Sequence, residues 1–207
     1  RPDVMTLDIE LPRMSGLEFL RKLMPQYPLP VVIISALSEK VFDAMKAGAV
    51  DFVAKPQVTE REQLRNFLCS ELPVKIKVAS TARVSRYKKP VAFAADQHLS
   101  VRSDIDIIAI GASTGGTEAI AEVIRDFSTD IPGTVIVQHM PPGFTEMYAN
   151  RLDSQSRVKV KEAKNGDMVA PGQVLIAPGG SEHMSIVKVG DNYKVVLKKG
   201  EKVNGHC

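Results

Sequence analysis

Twice along this 207-residue chain, short β-branched runs alternate with helix-length amphipathic segments, and that rhythm limits the possible folds more than any other feature. The first stretch runs strand 4–8, helix 16–24, strand 31–35, helix 40–47 and strand 51–54, a βαβαβ succession. Strands separated by helices of this size join into a parallel sheet, and ligands then sit beyond the carboxyl ends of the strands. Asp8, Ser35 and Lys55 fall at those ends. The alternation restarts at Asp104 with a strand over 105–110, a glycine-rich turn through Ser113, a helix over 117–127 and a strand over 134–139. Further on, 172–178 reads as a strand, and 185–189 with 193–198, divided by Gly190-Asp191-Asn192, read as a β-hairpin.

Between the two units a helical pattern runs from Glu60 toward Leu72, where Pro73 interrupts it. Lys75, Lys77, Arg83, Arg86, Lys88 and Lys89 follow with no acidic residue before Pro90. Such a run serves either as an interaction tail or, more commonly, as a solvated connector, and the connector is the expectation here. The chain therefore divides into 1–72, a basic linker 73–103, and 104–207. With 44% hydrophobic and 25% charged residues it has the composition of a globular protein with a sizeable core.

Composition also excludes some partners. A net charge of +3 with only 5% aromatic residues supplies few stacking platforms, so nucleic acid is not expected. The longest apolar run, Val31-Val-Ile-Ile-Ser-Ala-Leu37, is far short of the roughly 18 residues of a membrane span, so no membrane insertion is expected. Two distant cysteines, Cys69 and Cys207, suit a reducing compartment, and the expected location is cytoplasmic. The chain opens at Arg1 and stops at Gly205-His206-Cys207 without an evident terminal element, as a fragment would.

Taken singly, Asp8 reads as a loop carboxylate, Ser35 as a turn residue and Lys55 as a surface cation. On three successive strand ends they carry a different meaning. The segment Asp3-Val-Met-Thr-Leu-Asp8-Ile-Glu-Leu-Pro12-Arg-Met-Ser-Gly16, with Ser35 and Lys55-Pro56, resembles the phosphoacceptor region of response-regulator receiver domains, a flavodoxin-like fold. The resemblance implies that Asp8 is phosphorylated, that Ser35 hydrogen-bonds the phosphoryl group, and that the Lys55 ammonium adds a point charge. It implies Mg²⁺ as cofactor, held by Asp8 and the backbone carbonyl of Glu10, with the remaining acidic ligands N-terminal to Arg1. It further implies that Phe52 is the aromatic whose rotamer reports the switch and that the Lys55–Pro56 bond is often cis.

In the second unit, Ile107-Ile-Ala-Ile-Gly-Ala-Ser113-Thr-Gly-Gly116 brings a serine onto a glycine-rich turn after a buried strand. It fails the dinucleotide G-x-G-x-x-G fingerprint and lacks the Gly-Lys-Ser/Thr of a P-loop, but Gly111-Ala-Ser-Thr-Gly115 satisfies the permissive G-x-S-x-G pattern. Alone, Ser113 is as well read as a helix N-cap, and His139 as a satisfied histidine at a strand end. Yet a parallel sheet would bring the two together as nucleophile and base. With Gly116-Thr-Glu-Ala-Ile120 and Gln138-His139-Met-Pro-Pro-Gly-Phe-Thr145, the region resembles the catalytic domain of chemotaxis protein-glutamate methylesterases, here a doubly wound α/β domain with a β-hairpin.

That resemblance implies Ser113 as nucleophile, His139 as general base and Thr114 in the oxyanion region, with a third-member aspartate beyond Cys207 rather than Asp153 or Asp167, which read as loop residues. The implied activity is phosphorylation-regulated hydrolysis of glutamate methyl esters on methyl-accepting chemoreceptors, with receptor glutamine deamidation by the same acyl chemistry and no cofactor for that step. A chemotaxis histidine kinase is the implied phosphoryl donor, and the unphosphorylated receiver is implied to cover the active site. The alternative is a two-component regulator whose second domain only binds a nucleotide or a protein. His183 matches a family segment without a chemical role, while His98 and His206 carry no argument.

Overall fold

Two parallel sheets form, as the strand-helix alternation predicts. In the computed structural model, which describes residues 2–56, 61–84 and 105–201 (Gln63 by its backbone alone), β1 (Met5–Asp8), β2 (Val31–Ser35) and β3 (Asp51–Ala54) pair in that order, all parallel. Helix α1 (Gly16–Gln26) joins the first two, and α2 (Lys40–Lys46) the last two. Ser15 and Glu18 form a reciprocal capping box that fixes where α1 starts. Gly16 is required there, because a Cβ would lie 2.0 Å from the Asp8 carbonyl oxygen. The glycine lets the first turn of α1 fold back, after the loop 9–15, against the main chain at the end of β1.

The helix after β3 does not stop at Pro73. It runs as α3 (Arg61–Asn66), a π-helical turn (Phe67–Glu71) and α4 (Leu72–Ser80). Proline lacks an N–H and clashes with the carbonyl four residues back, and the widened turn just ahead of Pro73, closed by the Leu72 N–H on the Phe67 carbonyl, absorbs both problems. The first part of the expected basic linker is therefore helical, and Lys75 within it is buried. Residues 85–104, including His98, and the tail 202–207, including His206 and Cys207, lie outside the described residues.

The second sheet is four-stranded and parallel, in the order β4 (Ile107–Ala112), β5 (Gly133–Gln138), β8 (Gln173–Ile176), β6 (Lys159–Glu162). Helices α5 (Gly116–Arg125) and α6 (Phe144–Gln155) accompany it. An antiparallel sheet adds β7 (Met168–Val169) to the expected hairpin, whose strands β9 (Glu182–Val189) and β10 (Asn192–Lys199) turn at Gly190-Asp191, with Gly190 at φ 61°. Helix α6 and strands β6 and β7 were not expected from sequence. In α6 only Phe144, Tyr148 and Leu152 mark the buried stripe with Ala149 and Thr145, and β6 sets one buried residue, Val160, between lysines. Both patterns are too sparse to stand out from loop. Asp153 accordingly sits in a helix, not a loop.

One apolar core joins the two units. Phe42 of α2 stacks on Tyr148 of α6 (centroids 5.5 Å, 26°), and Phe52 of β3 meets Phe144 (4.9 Å). At the edge of this seam Arg151 donates to Asp43 at 3.0 Å, and Glu118 packs nearby, where burial raises its carboxyl pKa against the pull of Arg151 and Lys46. Among the described residues no helix is long and apolar enough to cross a membrane. Because Phe42 is 1% exposed and shared by both units, Phe42→Ala should cost about 3–5 kcal/mol. Val123→Ala on the exposed face of α5 should stay within about 0.5 kcal/mol. Urea unfolding of both variants checks this, and equal midpoints would contradict a shared core at the seam.

Candidate active site

Strand register brings Asp8, Ser35 and Lys55 to one end of the first sheet. Asp8 pairs with Ile34, and Ser35 with Ala54, so the residues that close β1 and β2 and the one that follows β3 stand side by side. Lys55 Nζ lies 2.5 Å from Asp8 Oδ2, and the Glu10 N–H donates to Asp8 Oδ1 at 3.0 Å. Ser35 is buried, and its carbonyl accepts the Lys55 N–H at 2.7 Å, which pins the lysine backbone to the neighbouring strand. Burial works against the Asp8 charge, but the Lys55 hydrogen bond, the Glu10 N–H, the Lys55 charge and the Ile9 N–H outweigh it and hold the carboxyl below its ordinary value. Phe52 is buried in the core beneath this cluster. No cis peptide bond occurs among the described residues, so Lys55–Pro56 is trans rather than cis as the resemblance suggested.

At the second sheet, parallel pairing of β4 and β5 runs through Ala112 opposite Gln138, and the ladder continues with the His139 N–H donating to the Ala112 carbonyl at 3.1 Å. Ser113 and His139 thus leave adjacent strands at the same level. Both are exposed, and both line a cleft of about 900 Å³. Gly115, at φ 78°, makes the tight turn from Ser113 into α5. It is Gly115, not Ser113, that occupies the N-cap position, so the helix-cap reading of Ser113 does not hold.

Other walls of the cleft come from both units. Met140, Pro141 and Pro142 follow the histidine, Gly179 and Gly180 follow β8, and His183 and Met184 come from β9. His183 therefore borders the cleft, with its Nε2 at 2.9 Å from the Glu201 carbonyl oxygen. The facing wall is Phe52 with Asn66, Ser70, Glu71 and Val74 of the helices after β3. The first unit thus borders the mouth where Ser113 and His139 open.

A hydrogen-bond network that no local sequence pattern announces ties the serine turn to the first unit. Thr114 Oγ1 donates to Asp51 Oδ2 at 2.5 Å, and Lys75 Nζ donates to both carboxylate oxygens of Asp51 at 2.8 and 2.9 Å. The Phe52 N–H adds a bond to Asp51 Oδ1 at 2.8 Å, and the Gly115 N–H reaches the Val50 carbonyl at 3.2 Å. The signal was a carboxylate at the start of an otherwise apolar strand, Asp51-Phe-Val-Ala, which needs partners when buried. Asp153 and Asp167 are committed elsewhere. Asp153 accepts from Lys159 Nζ and the Val160 N–H, and Asp167 from Lys161 Nζ and the Lys164 N–H, all at 2.7 to 2.8 Å.

Two outcomes follow from this geometry. Lys75→Ala leaves the buried Asp51 carboxylate without its cation, held only by the Thr114 hydroxyl and the Phe52 N–H, and should cost roughly 3–5 kcal/mol, while Lys77→Ala, on the exposed side of α4, should be near neutral in the same denaturant titration. For Asp8 the folded pKa is depressed, so its contribution to stability is present above the ordinary carboxylate value and is lost as pH falls through the folded value. Lys55→Met removes the cation and leaves the burial, so a carboxyl ¹³C titration should show the Asp8 pKa rising. An unchanged value would refute the role given to Lys55.

Two known families match the chain in succession. The response regulator receiver domain family matches residues 1–68, and the CheB methylesterase family matches residues 108–207. A protein of Syntrophomonas wolfei subsp. wolfei named protein-glutamate methylesterase/protein-glutamine glutaminase 2 is 58% identical over 207 residues, covering 100% of this chain and 60% of its own length. One of Syntrophotalea carbinolica named protein-glutamate methylesterase/protein-glutamine glutaminase is 50% identical, with 100% of this chain and 61% of that protein covered. The crystal structure of the Thermotoga maritima CheB methylesterase catalytic domain is 42% identical, covers 48% of this chain and 53% of that one, and has a TM-score of 0.46. The chain spans about 60% of the length of these curated relatives. Along this one chain, residues 1–68 belong to the response regulator receiver domain family and residues 108–207 to the CheB methylesterase family.

Proposed function

We propose that the protein hydrolyses methyl esters of glutamate side chains on methyl-accepting chemoreceptors, with Ser113 as nucleophile and His139 as general base. The observation that carries this reading is the register of β4 and β5, after which both residues open into one cleft. His139 takes the Ser113 proton as the hydroxyl oxygen attacks the ester carbonyl. In this reading the Thr114 N–H receives the developing oxyanion, since the Thr114 hydroxyl is engaged with Asp51 and the Gly115 and Gly116 N–H groups with the Val50 and Ser113 carbonyls. Methanol leaves with the proton from His139, and water then releases the glutamate. A glutamine side chain would follow the same route with ammonia as leaving group. The third triad member belongs to the expectation beyond Cys207, and Asp153 and Asp167 do not fill it.

The division of labour we propose is a receiver over 1–72, a connector over 73–103 that opens with a helix, and a catalytic part over 104–207. Asp8 receives a phosphoryl group from a chemotaxis histidine kinase in the cytoplasm, and Ser35 and Lys55 contact it. Mg²⁺ takes one or two carboxylates together with phosphate oxygens and water, so Asp8 and the Glu10 carbonyl fit it as protein ligands. When bound it would neutralise phosphoryl charge. Phosphorylation would draw the Lys55 ammonium from its present pairing with Asp8 toward the new charge. Lys55 follows β3 directly and Asp51 begins that strand, so only three residues separate the phosphoacceptor cluster from the tie on Thr114. That path lets the receiver bias the mouth of the cleft.

Ser113→Ala should abolish methanol release from methylated chemoreceptors by the full-length protein, a loss on the order of 10⁶-fold for a nucleophile that acts as part of a triad. Release at the wild-type rate from that variant would overturn the assignment.

A further inference from the structure

The strand that delivers His139 ends in a polar residue where burial would favour an apolar one. Gln138 closes Thr134-Val-Ile-Val-Gln138 and is 7% exposed. Its Nε2 donates to the Ser113 carbonyl at 2.9 Å and to the His139 carbonyl at 3.3 Å. One planar amide therefore spans the main chain of the two residues to which the chemistry is assigned. We propose that Gln138 is a positioning residue, which sets the approach of Ser113 to His139 by clamping both carbonyls.

The surroundings fit that task. The Ser113 carbonyl also accepts the Gly116 N–H at 2.8 Å, so it is held from the turn and from the neighbouring strand at once. Gly116 leaves the room for this, because a Cβ there would come 2.1 Å from Gln138 Oε1 and 2.7 Å from the Ala112 Cβ. The amide has one sensible orientation, since a flip would turn Oε1 toward two carbonyl oxygens. In the orientation held, Oε1 is buried without a hydrogen-bond partner among the described residues. A buried amide with one end unsatisfied is a cost that a methionine of similar volume would avoid. The two donated bonds are what the glutamine provides in return.

This inference rests on Ser113 and His139 as nucleophile and base, and the test separates the two claims. A fluorophosphonate probe labels an activated serine: the oxygen attacks phosphorus, the new P–O bond forms as fluoride leaves, and the proton passes to the base. In full-length protein, Gln138→Met keeps the volume and removes both donors. Its maximal labelling rate should fall about 10- to 100-fold with unchanged probe affinity, as expected for a misplaced reacting group. Gln138→Asn keeps the amide but shortens its reach, so its rate should also fall, and it carries the test if the methionine variant does not fold. Either folded variant labelling at the wild-type rate overturns the proposal, as does a loss confined to probe affinity. Ser113→Ala is the reference: persistent labelling there sinks the nucleophile assignment itself, whereas its absence beside wild-type labelling of Gln138→Met sinks only the role of Gln138.

Discussion

A carboxylate buried at the start of β3 organises the meeting of the two halves of this molecule. Asp51 is 5% exposed, and an isolated charge at that depth would not be tolerated. It takes Lys75 from the helix that follows its own sheet and the Thr114 hydroxyl from the turn beside Ser113. Lys75 gives up solvent in return, and the π-helical turn before Pro73 keeps the helix going far enough to deliver it. The same carboxylate thus satisfies a cation of the first unit and a hydroxyl of the second. On the other face of β3 the aromatic seam of Phe42, Phe52, Phe144 and Tyr148 adds apolar contact between the two halves.

The two chemical centres stand at the carboxyl ends of two parallel sheets, each built by residues that pair across neighbouring strands. Asp8 and Lys55 neutralise each other at one, and Ser113 and His139 open into a cleft at the other. The cleft has a wall from each half. A change in how β3 and the helices after it sit therefore alters both the width of the mouth and the tether on the serine turn. On the function proposed above, a charge change at Asp8 would reach the mouth at Ser113 through a short piece of backbone and one buried ion pair.

Much of this was legible from the chain itself. The strand-helix rhythm gives both parallel sheets, and glycine and serine spacing locates the turn, because backbone periodicity and turn chemistry are local properties. Asp8, Ser35, Lys55, Ser113 and His139 sit at strand ends, where sequence position nearly determines place. What escaped depends on long-range contact. Lys75 reads as one more cation in a basic run until Asp51 is brought near it. Helix α6 has few apolar markers, since part of its burial is against α2 of the other half. Pro73 is a helix breaker by every local rule, and only the widened turn ahead of it tells otherwise.

In the function proposed here, one chain couples a phosphoacceptor to an ester-hydrolysing serine. The direct measurement is the rate of methanol release from methylated chemoreceptors by the full-length protein, before and after phosphorylation with a small-molecule phosphodonor and Mg²⁺, alongside an Asp8→Asn control. Phosphorylation should raise the rate of the wild-type protein and leave that of Asp8→Asn unchanged. An equal rate in both states, or the same acceleration without Asp8, would contradict it.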